Sequence, residues 1–180
     1  MSTWLWVIIV IAAIAVALAI ASTAIRRRRT EVLRTGFGPE YERAVDRTGD
    51  QAKAEAELRE RHRRHDELEL RPLPPVARKG FMDAWQGTQA EFVDDPATAI
   101  HDADRLIQNV MRDRGYPVED FEDRASIVSV DHPLVVQRYR RAHAIAVANV
   151  DGDVDTENLR QAMHDYRALF VELVEDNVEA

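Results

Sequence analysis

Residues 4–29 read WLWVIIVIAAIAVALAIASTAIRRRR, an uncharged apolar run that ends in four consecutive arginines. As a helix, the 22 residues 4–25 span about 33 Å at about 1.5 Å per residue, and the hydrocarbon core of a bilayer is about 30 Å thick. The stretch therefore predicts a transmembrane anchor over residues 1–25. Aromatic and basic side chains mark the two expected membrane interfaces, as is typical of spanning helices: Trp4 and Trp6 at one, and Arg26, Arg27, Arg28 and Arg29 at the other.

A cleaved signal peptide is the alternative interpretation of this segment, because Ala19-Ile20-Ala21 imitates a cleavage site. A retained anchor is favoured, since the apolar run is long, no basic residue precedes it and the arginines directly follow the possible cut. Positive charge that flanks a span stays on the cytoplasmic side of the membrane. We therefore expect a single-pass protein whose C-terminal domain faces the cytoplasm and whose anchor contacts membrane lipids.

Composition narrows the possible chemistry of the rest of the chain. Cysteine is absent, which excludes disulfides, thiolate catalysis and cysteine-based zinc sites. Residues 26–80 hold 15 basic and 11 acidic side chains, whereas residues 81–180 hold 9 basic and 21 acidic ones. An acidic distal body is poorly suited to a phosphate backbone, so the sequence predicts no nucleic-acid partner.

Residues 26–70 predict a basic juxtamembrane segment followed by a charged helical stalk. The sequence Gly36-Phe37-Gly38-Pro39 predicts a helix break, a short helix follows over 39–47, and Asp50 is suited to cap a second helix that reaches about Leu68. The second helix has a thin apolar stripe, which is typical of a solvated helix. Favourable pairs of glutamate and arginine recur four residues apart along it: Glu55–Arg59, Glu57–Arg61 and Glu60–Arg64.

Three prolines at positions 72, 74 and 75 end the stalk and mark the boundary of an acidic domain over 71–180. Beyond them, apolar residues recur with helical spacing in several segments: 81–92, 100–111, 121–128, 135–150 and 159–174. The β-branched stretch 127–130 could be extended, but no strand partner is evident. The sequence predicts an all-α fold, with a transmembrane helix, a stalk helix and a four- or five-helix bundle. Gly87 interrupts the first bundle helix, which predicts close helix packing there.

Two patterns resemble metal sites. Asp151, Asp153 and Asp155 look like the start of a calcium loop, but the glycine and glutamate that such a loop requires later are absent. The pattern therefore indicates a turn in which Asp155 or Thr156 caps the last helix.

His62 and His65 lie one helical turn apart and could share a metal ion, but flanking arginines favour solvated surface histidines instead.

A speculative ligand site is formed by His143, His164 and Tyr166. The two histidines fall on or beside the apolar stripes of neighbouring helices, where hydrogen-bonded core histidines are the simpler interpretation. No phosphate loop, di-iron signature or His-Glu-x-x-His motif occurs in the chain. The sequence therefore predicts no catalytic residue, no metal site and no cofactor.

Four segments carry a resemblance to a known family: RGYPVEDFE at 114–122, VDHP at 130–133, YRRAH at 139–143 and LRQAMHDYRALF at 159–170. They resemble a family of small bacterial proteins of unassigned activity that have an N-terminal hydrophobic segment and an Arg/Glu-rich stalk. The resemblance covers nearly the whole chain. It implies a bacterial source and carries over no functional residue.

These observations together predict a membrane-tethered helical domain that binds another protein and has no catalytic centre of its own. The alternative is a helical bundle that encloses a small ligand or a metal ion near His143 and His164. The two functions are distinguished by whether His143, His164 and Tyr166 line one polar site or are dispersed in apolar packing.

Overall fold

The computed structural model describes residues 3–149 and 154–175, and these residues form helices and connecting turns without a strand. The predicted all-α class is thereby confirmed. Eight helices follow one another along the described chain: α1 Thr3–Phe37, α2 Pro39–Thr48, α3 Gln51–Asp66, α4 Pro75–Asp94, α5 Pro96–Arg114, α6 Phe121–Asp131, α7 Val136–Ala148 and α8 Thr156–Glu175.

The breaks between the first three helices lie where the sequence predicts them. Gly38 has a φ of 49° and precedes Pro39, which occupies the first turn of α2. Gly49 ends α2 in the left-handed conformation with a φ of 65°, a geometry that glycine adopts without a Cβ penalty. Asp50 then caps α3, because its carboxylate accepts a hydrogen bond of 3.0 Å from the Lys53 backbone N–H. Local signals therefore define this part of the chain.

The main core lies between α4, α5, α7 and α8. Helix α5 packs against α4, α7 and α8, and α7 packs along α8. At one end of this core the Trp85 ring stacks on the Phe170 ring, with centroids 4.6 Å apart. The centre is closed by fully buried apolar side chains from α5, α7 and α8: Ile100, Ile107, Met111, Ala142, Leu169 and Leu173.

Helix α3, which the sequence predicts as a solvated stalk, packs against α2 and α6 and buries Ala54, Leu58 and Arg61. Two of the expected pairs form, with nitrogen–oxygen distances of 3.8 Å for Glu55–Arg59 and 2.8 Å for Glu57–Arg61. The third does not form. The stripe is narrow but sufficient, because Ala54 and Leu58 are fully buried together with apolar residues of α1 and α2. The division of this part of the chain into a stalk over residues 26–70 and a separate domain over residues 71–180 stays a prediction.

The third expected pair is replaced by a contact between helices. Arg64 of α3 binds both carboxylate oxygens of Asp123 in α6, at 2.6 and 2.7 Å, instead of pairing with Glu60. The β-branched stretch 127–130 lies within α6, where Ile127 and Val128 are buried, so it is helical and not extended. Burial on a helix face outweighs the weak β-propensity of four residues.

The last helix begins at an aspartate cap. Asp155 accepts a hydrogen bond of 2.8 Å from the Asn158 backbone N–H, one of the two capping options expected from the sequence. Asp151 and Asp153 lie outside the described residues.

Two glycines are expected to respond in opposite ways to replacement by alanine. A Cβ on Gly87 meets no atom within 4 Å, so the close helix packing expected there is not observed, and Gly87→Ala should stabilise the protein by about 0.5–1 kcal/mol. Gly115 has a φ of 96°, and a Cβ there would lie 2.8 Å from the Glu69 carbonyl oxygen. Gly115→Ala should therefore destabilise the protein by about 2 kcal/mol or more.

Urea unfolding of both variants as full chains in a mild detergent, followed by circular dichroism, measures the two changes. Equal and small effects would contradict the different surroundings of the two glycines.

Candidate functional site

The predicted interface residues all belong to α1. Trp4 and Trp6 are exposed near its start, and Arg27, Arg28 and Arg29 are exposed further along. Arg26 lies in the same helix, but its side chain is outside the described residues. Helix α1 passes through the arginines without a break and ends only at Phe37. The aromatic and basic ends of the apolar run are therefore joined by one continuous helix.

The apolar side chains described between these two ends are exposed to the surroundings of the protein. Among the described residues, α1 provides the one helix that is long and apolar enough to cross a membrane, judged by length and composition. Large apolar side chains exposed along this helix are Val10, Ile11, Ile14, Val16, Leu18, Ile20 and Ile25. A contiguous apolar surface of this kind indicates contact with a membrane or a partner.

The C-terminal end of α1 is attached to the body by a second, smaller core. Leu33 and Phe37 of α1 are buried together with residues from α2 and α3: Tyr41, Ala44, Ala54 and Leu58. Arg34 of α1 also donates a hydrogen bond of 3.0 Å to the Glu42 carboxylate in α2. The anchor helix is therefore packed against the body and does not enter it through a flexible linker.

Glu55 adds a polar contact at the same junction, because three helices donate hydrogen bonds to its Oε1 atom. The donors are Thr30 Oγ1 of α1 at 2.7 Å, Tyr41 Oη of α2 at 3.2 Å and Gln51 Nε2 of α3 at 2.9 Å. Burial opposes the charge on Glu55, but the hydrogen bonds from Gln51, Thr30 and Tyr41 outweigh it, so its pKa lies below the ordinary value. The ionised carboxylate thus holds α1, α2 and α3 together.

A buried ionic network connects α2 with α3 and α7. Glu40 lies 1% exposed, with Arg61 Nη1 at 3.1 Å from its Oε2 and Arg140 Nε at 3.3 Å from its Oε1. Gln137 also donates to Glu40, and Arg61 donates a further hydrogen bond of 3.1 Å to Ser129 Oγ. Every member has partners, as a buried charge requires.

An open cleft of about 570 Å³ lies over this network, between α2, α3, α6 and α7. Its walls carry both signs of charge, and most of these side chains pair with one another. The basic lining residues are Arg43, Arg47, Arg61 and Arg140, and the acidic ones are Glu40, Glu57, Asp120, Glu122 and Asp123. The sequence alone does not reveal this feature, because Arg61 and Arg140 lie 21 and 100 residues from Glu40.

Two of the three residues in the speculative ligand site meet at Asp104 of α5. Tyr166 Oη donates a hydrogen bond of 3.0 Å to Asp104 Oδ1, and His143 Nδ1 lies 3.5 Å from the same oxygen. Gln108 Nε2 donates to the other carboxylate oxygen at 2.6 Å. The His143 ring also stacks on Phe121, with centroids 3.6 Å apart. Asp104 is the member of this cluster that the sequence alone does not single out.

His164 is not part of this cluster. Its side chain is 63% exposed, and its Nδ1 lies 4.0 Å from Asp165 Oδ1. The structure therefore brings His143 and Tyr166 together but places His164 at the surface. These three residues do not line the cleft over the Glu40 network, and the Tyr166 side chain is enclosed in the core.

Electrostatics at Asp104 follow from the balance of burial and hydrogen bonding. Burial opposes the carboxylate charge, but the contacts with His143, Tyr166 and Gln108 outweigh it, so the pKa of Asp104 lies below its ordinary value. Burial, together with the Asp104 charge, raises the pKa of Tyr166 far above its ordinary value. Tyr166 is therefore a neutral hydrogen-bond donor to an ionised carboxylate.

Replacing Asp104 with asparagine is expected to destabilise the protein more at neutral pH than in acid. The lowered pKa means that the ionised carboxylate stabilises the fold above the ordinary aspartate pKa of about 3.9, and this contribution is lost as the pH falls through the lowered pKa. Urea titrations of the full chain above and below that range measure the difference between wild type and Asp104→Asn. Asp102→Asn, whose carboxylate pairs with the exposed Arg105, is the control and should show little pH-dependent difference.

Comparison with known proteins gives no match: no family model, no curated protein and no solved structure is significantly similar to this chain.

Proposed function

We propose that this protein is a single-pass membrane protein of the bacterial cell membrane whose helical body binds a protein partner at the cytoplasmic surface. Helix α1 serves as the anchor, α2 and α3 form the charged membrane-proximal part, and the distal helices form a bundle that carries the partner-binding surface.

The distribution of exposed apolar surface is the observation that carries this proposal. The body buries its apolar residues in two cores, whereas α1 exposes apolar side chains over a length that matches a bilayer. Each large apolar side chain removed from water contributes about 1.5–3 kcal/mol. Leaving a row of such side chains in water therefore carries a large free-energy cost, and insertion into lipid removes this cost.

The orientation rests on the arginines at the body side of the apolar run. Arg27, Arg28 and Arg29 are exposed, so they are accessible to anionic headgroups. Each basic residue near an anionic leaflet contributes about 1 kcal/mol of attraction. The acidic side chains of residues 81–180 are expected to turn away from that leaflet.

The outer side of α4 is the surface of the body that best supports a protein partner. Val76, Met82 and Val93 are exposed large apolar residues on this helix. Gly80 and Gly87 leave the backbone uncovered, because a Cβ at either position meets no atom within 4 Å. Gly80 and Gly87 lie on the same side of α4 as Val76, so a helix of the partner can approach closely along that side and cover Val76. Met82 and Val93 lie more than about 90° further round the helix and border this surface.

Anchor and orientation are tested with single cysteines, since the natural chain has none. Ser2→Cys should react with a membrane-impermeant maleimide on intact spheroplasts, whereas Gln89→Cys on the exposed side of α4 should react only after the membrane is opened. Intact mass should show an uncleaved N-terminus, and carbonate washing should leave the protein in the membrane. Release by carbonate, or a mature chain that starts near Ser22, would contradict the anchor.

Partner binding is tested by a photo-crosslinking residue at position 83, which is exposed one turn before Gly87 on the same side of α4, with one at the exposed position 160 of α8 as the matched control. We expect a crosslinked partner at position 83 that is lost when Gly87→Leu is added. Gly87→Leu meets open space, so it should leave the fold intact as judged by circular dichroism. Equal crosslinking at both positions, or a crosslink only to a second copy of this chain, would overturn a distinct partner at α4.

The alternative function is a small-ligand or metal site near His143 and His164. The contact of His143 and Tyr166 with Asp104 favours it, whereas the exposure of His164 does not. The combined replacement His143→Gln and His164→Gln distinguishes the two functions. A folded double variant that retains the cellular function of the wild type agrees with protein binding, and a folded one that loses it favours the ligand site.

A further inference from the structure

The C-terminal end of α3 brings together three side chains with metal-binding atoms. His62, His65 and Asp66 each offer one donor atom, and these atoms lie within 4.8 Å of one another. Asp66 Oδ1 is 3.1 Å from His62 Nδ1 and 3.6 Å from His65 Nδ1. Ligands about 2.0–2.1 Å from a tetrahedral zinc ion are separated by about 3.3 Å. The two separations that involve Asp66 are thus close to those between ligands of a zinc ion.

The orientation of His65 points independently to a ligand. Its Nε2 lies 2.7 Å from Asp131 Oδ2, and this carboxylate also accepts a hydrogen bond of 2.6 Å from Tyr116 Oη. The other ring nitrogen, Nδ1, is buried without a hydrogen-bond partner and faces Asp66. Histidines that bind metals characteristically donate one N–H to a carboxylate, which directs the lone pair of the other nitrogen at the ion. Asp131 holds His65 in this way.

The arginines beside the histidines, which the sequence predicts to oppose cation binding, are paired with carboxylates. Arg61 binds Glu40 and Glu57, and Arg64 binds Asp123. Arg63 pairs with two glutamates of its own helix, Glu60 and Glu67. Each guanidinium is thus neutralised by a carboxylate, and Asp66 and Asp131 supply negative charge to the histidine cluster itself.

We propose that His62, His65 and Asp66 bind one divalent transition-metal ion of the zinc type, with Asp131 as the carboxylate that orients His65. Two imidazoles and one carboxylate suit zinc and cobalt better than calcium or magnesium, which prefer oxygen ligands alone. His62 and Asp66 are more than half exposed, so the ion enters from solvent and water completes its coordination. The bound ion fixes the end of α3 against α6 through His65 and Asp131.

The test uses the untagged full chain in detergent after treatment with a chelator, titrated with zinc chloride by calorimetry and with cobalt chloride by visible absorption. One ion per chain and the visible bands of four-coordinate cobalt are expected. His62→Ala, an exposed change that should leave the fold intact, is expected to reduce zinc affinity at least tenfold. Asp131→Asn should reduce it about 10–100-fold, the usual effect of removing a carboxylate that orients a ligand.

Two other histidines serve as matched controls, since both are exposed and lie outside the cluster. His101→Ala in α5 and His164→Ala in α8 should leave zinc affinity and the cobalt spectrum unchanged. Circular dichroism of each variant separates loss of the site from loss of the fold. Absence of stoichiometric zinc binding by the folded wild type, or binding that survives both His62→Ala and His65→Ala, would overturn the site. Either result leaves the anchor and the partner surface unaffected.

Discussion

Replacing Glu40 with alanine is expected to lower the free energy of unfolding by about 3 kcal/mol or more, because two buried arginines lose the carboxylate that they share. Glu40 is 1% exposed and lies within 3.3 Å of guanidinium nitrogens of both Arg61 and Arg140. Arg61 keeps Glu57, and Arg140 keeps Glu122, but these glutamates lie at the more exposed edge of the cleft. They compensate only in part for the missing charge.

The matched control for this prediction lies two residues away in the same helix turn. Glu42 is 54% exposed and pairs with Arg34, so Glu42→Ala should change the free energy of unfolding by less than about 1 kcal/mol. Urea unfolding of both variants as full chains in detergent, followed by circular dichroism, gives the comparison. Similar small losses for the two variants would show that the Glu40 network contributes little to stability.

The second large effect is expected where α1 joins the body. Phe37 is buried between α1, α2 and α3, and Phe37→Ala leaves a cavity whose cost is about 3–5 kcal/mol. The substitution destabilises the small core that attaches α1. The main core between α4, α5, α7 and α8 does not contain Phe37 and keeps its packing. We therefore expect faster amide exchange over residues 30–58 and unchanged protection in α8.

Val32 provides the control, since it lies five residues before Phe37 in α1 and is 72% exposed. Val32→Ala should leave exchange unchanged and alter stability by no more than about 0.5 kcal/mol. Hydrogen exchange with mass spectrometry on the full chain resolves these segments. If Phe37→Ala unfolds the whole chain in one step, the two cores are a single cooperative unit and not separable ones.

Local signals in the sequence were enough to predict most helices. Asp50, Gly49 and Pro39 fix the ends of α2 and α3 through backbone geometry and capping, which depend on few neighbours. The apolar periodicity of α5 and α8 likewise places Ile107 and Leu173 in the core. Capping, turn geometry and apolar periodicity depend on residues that are close together in the chain, so a single sequence is enough to reveal them.

Contacts between distant segments could not be predicted in the same way. The partners of Glu40 come from α3 and α7, and nothing in the spacing of Arg61 and Arg140 relates them to α2. The thin apolar stripe of α3 predicts a solvated helix, yet Ala54 and Leu58 are enough to bury one face of it. Asp104 went unselected for the same reason, since its role depends on residues that α7 and α8 bring to it.

Because α1 runs without a break from the arginines to Phe37, the proposed anchor and the first part of the body belong to one continuous helix. Leu33 lies only four residues after Arg29, which is about 6 Å of helix, so in the proposed arrangement the body would begin at the lipid surface and share the rotation of the anchor. One residue inserted between Arg29 and Thr30 turns the whole body by about 100° about the helix axis while all contacts from Thr30 onward stay intact. In the proposed arrangement, the number of helical residues between the arginines and the body therefore determines which face of the body would turn toward the membrane surface.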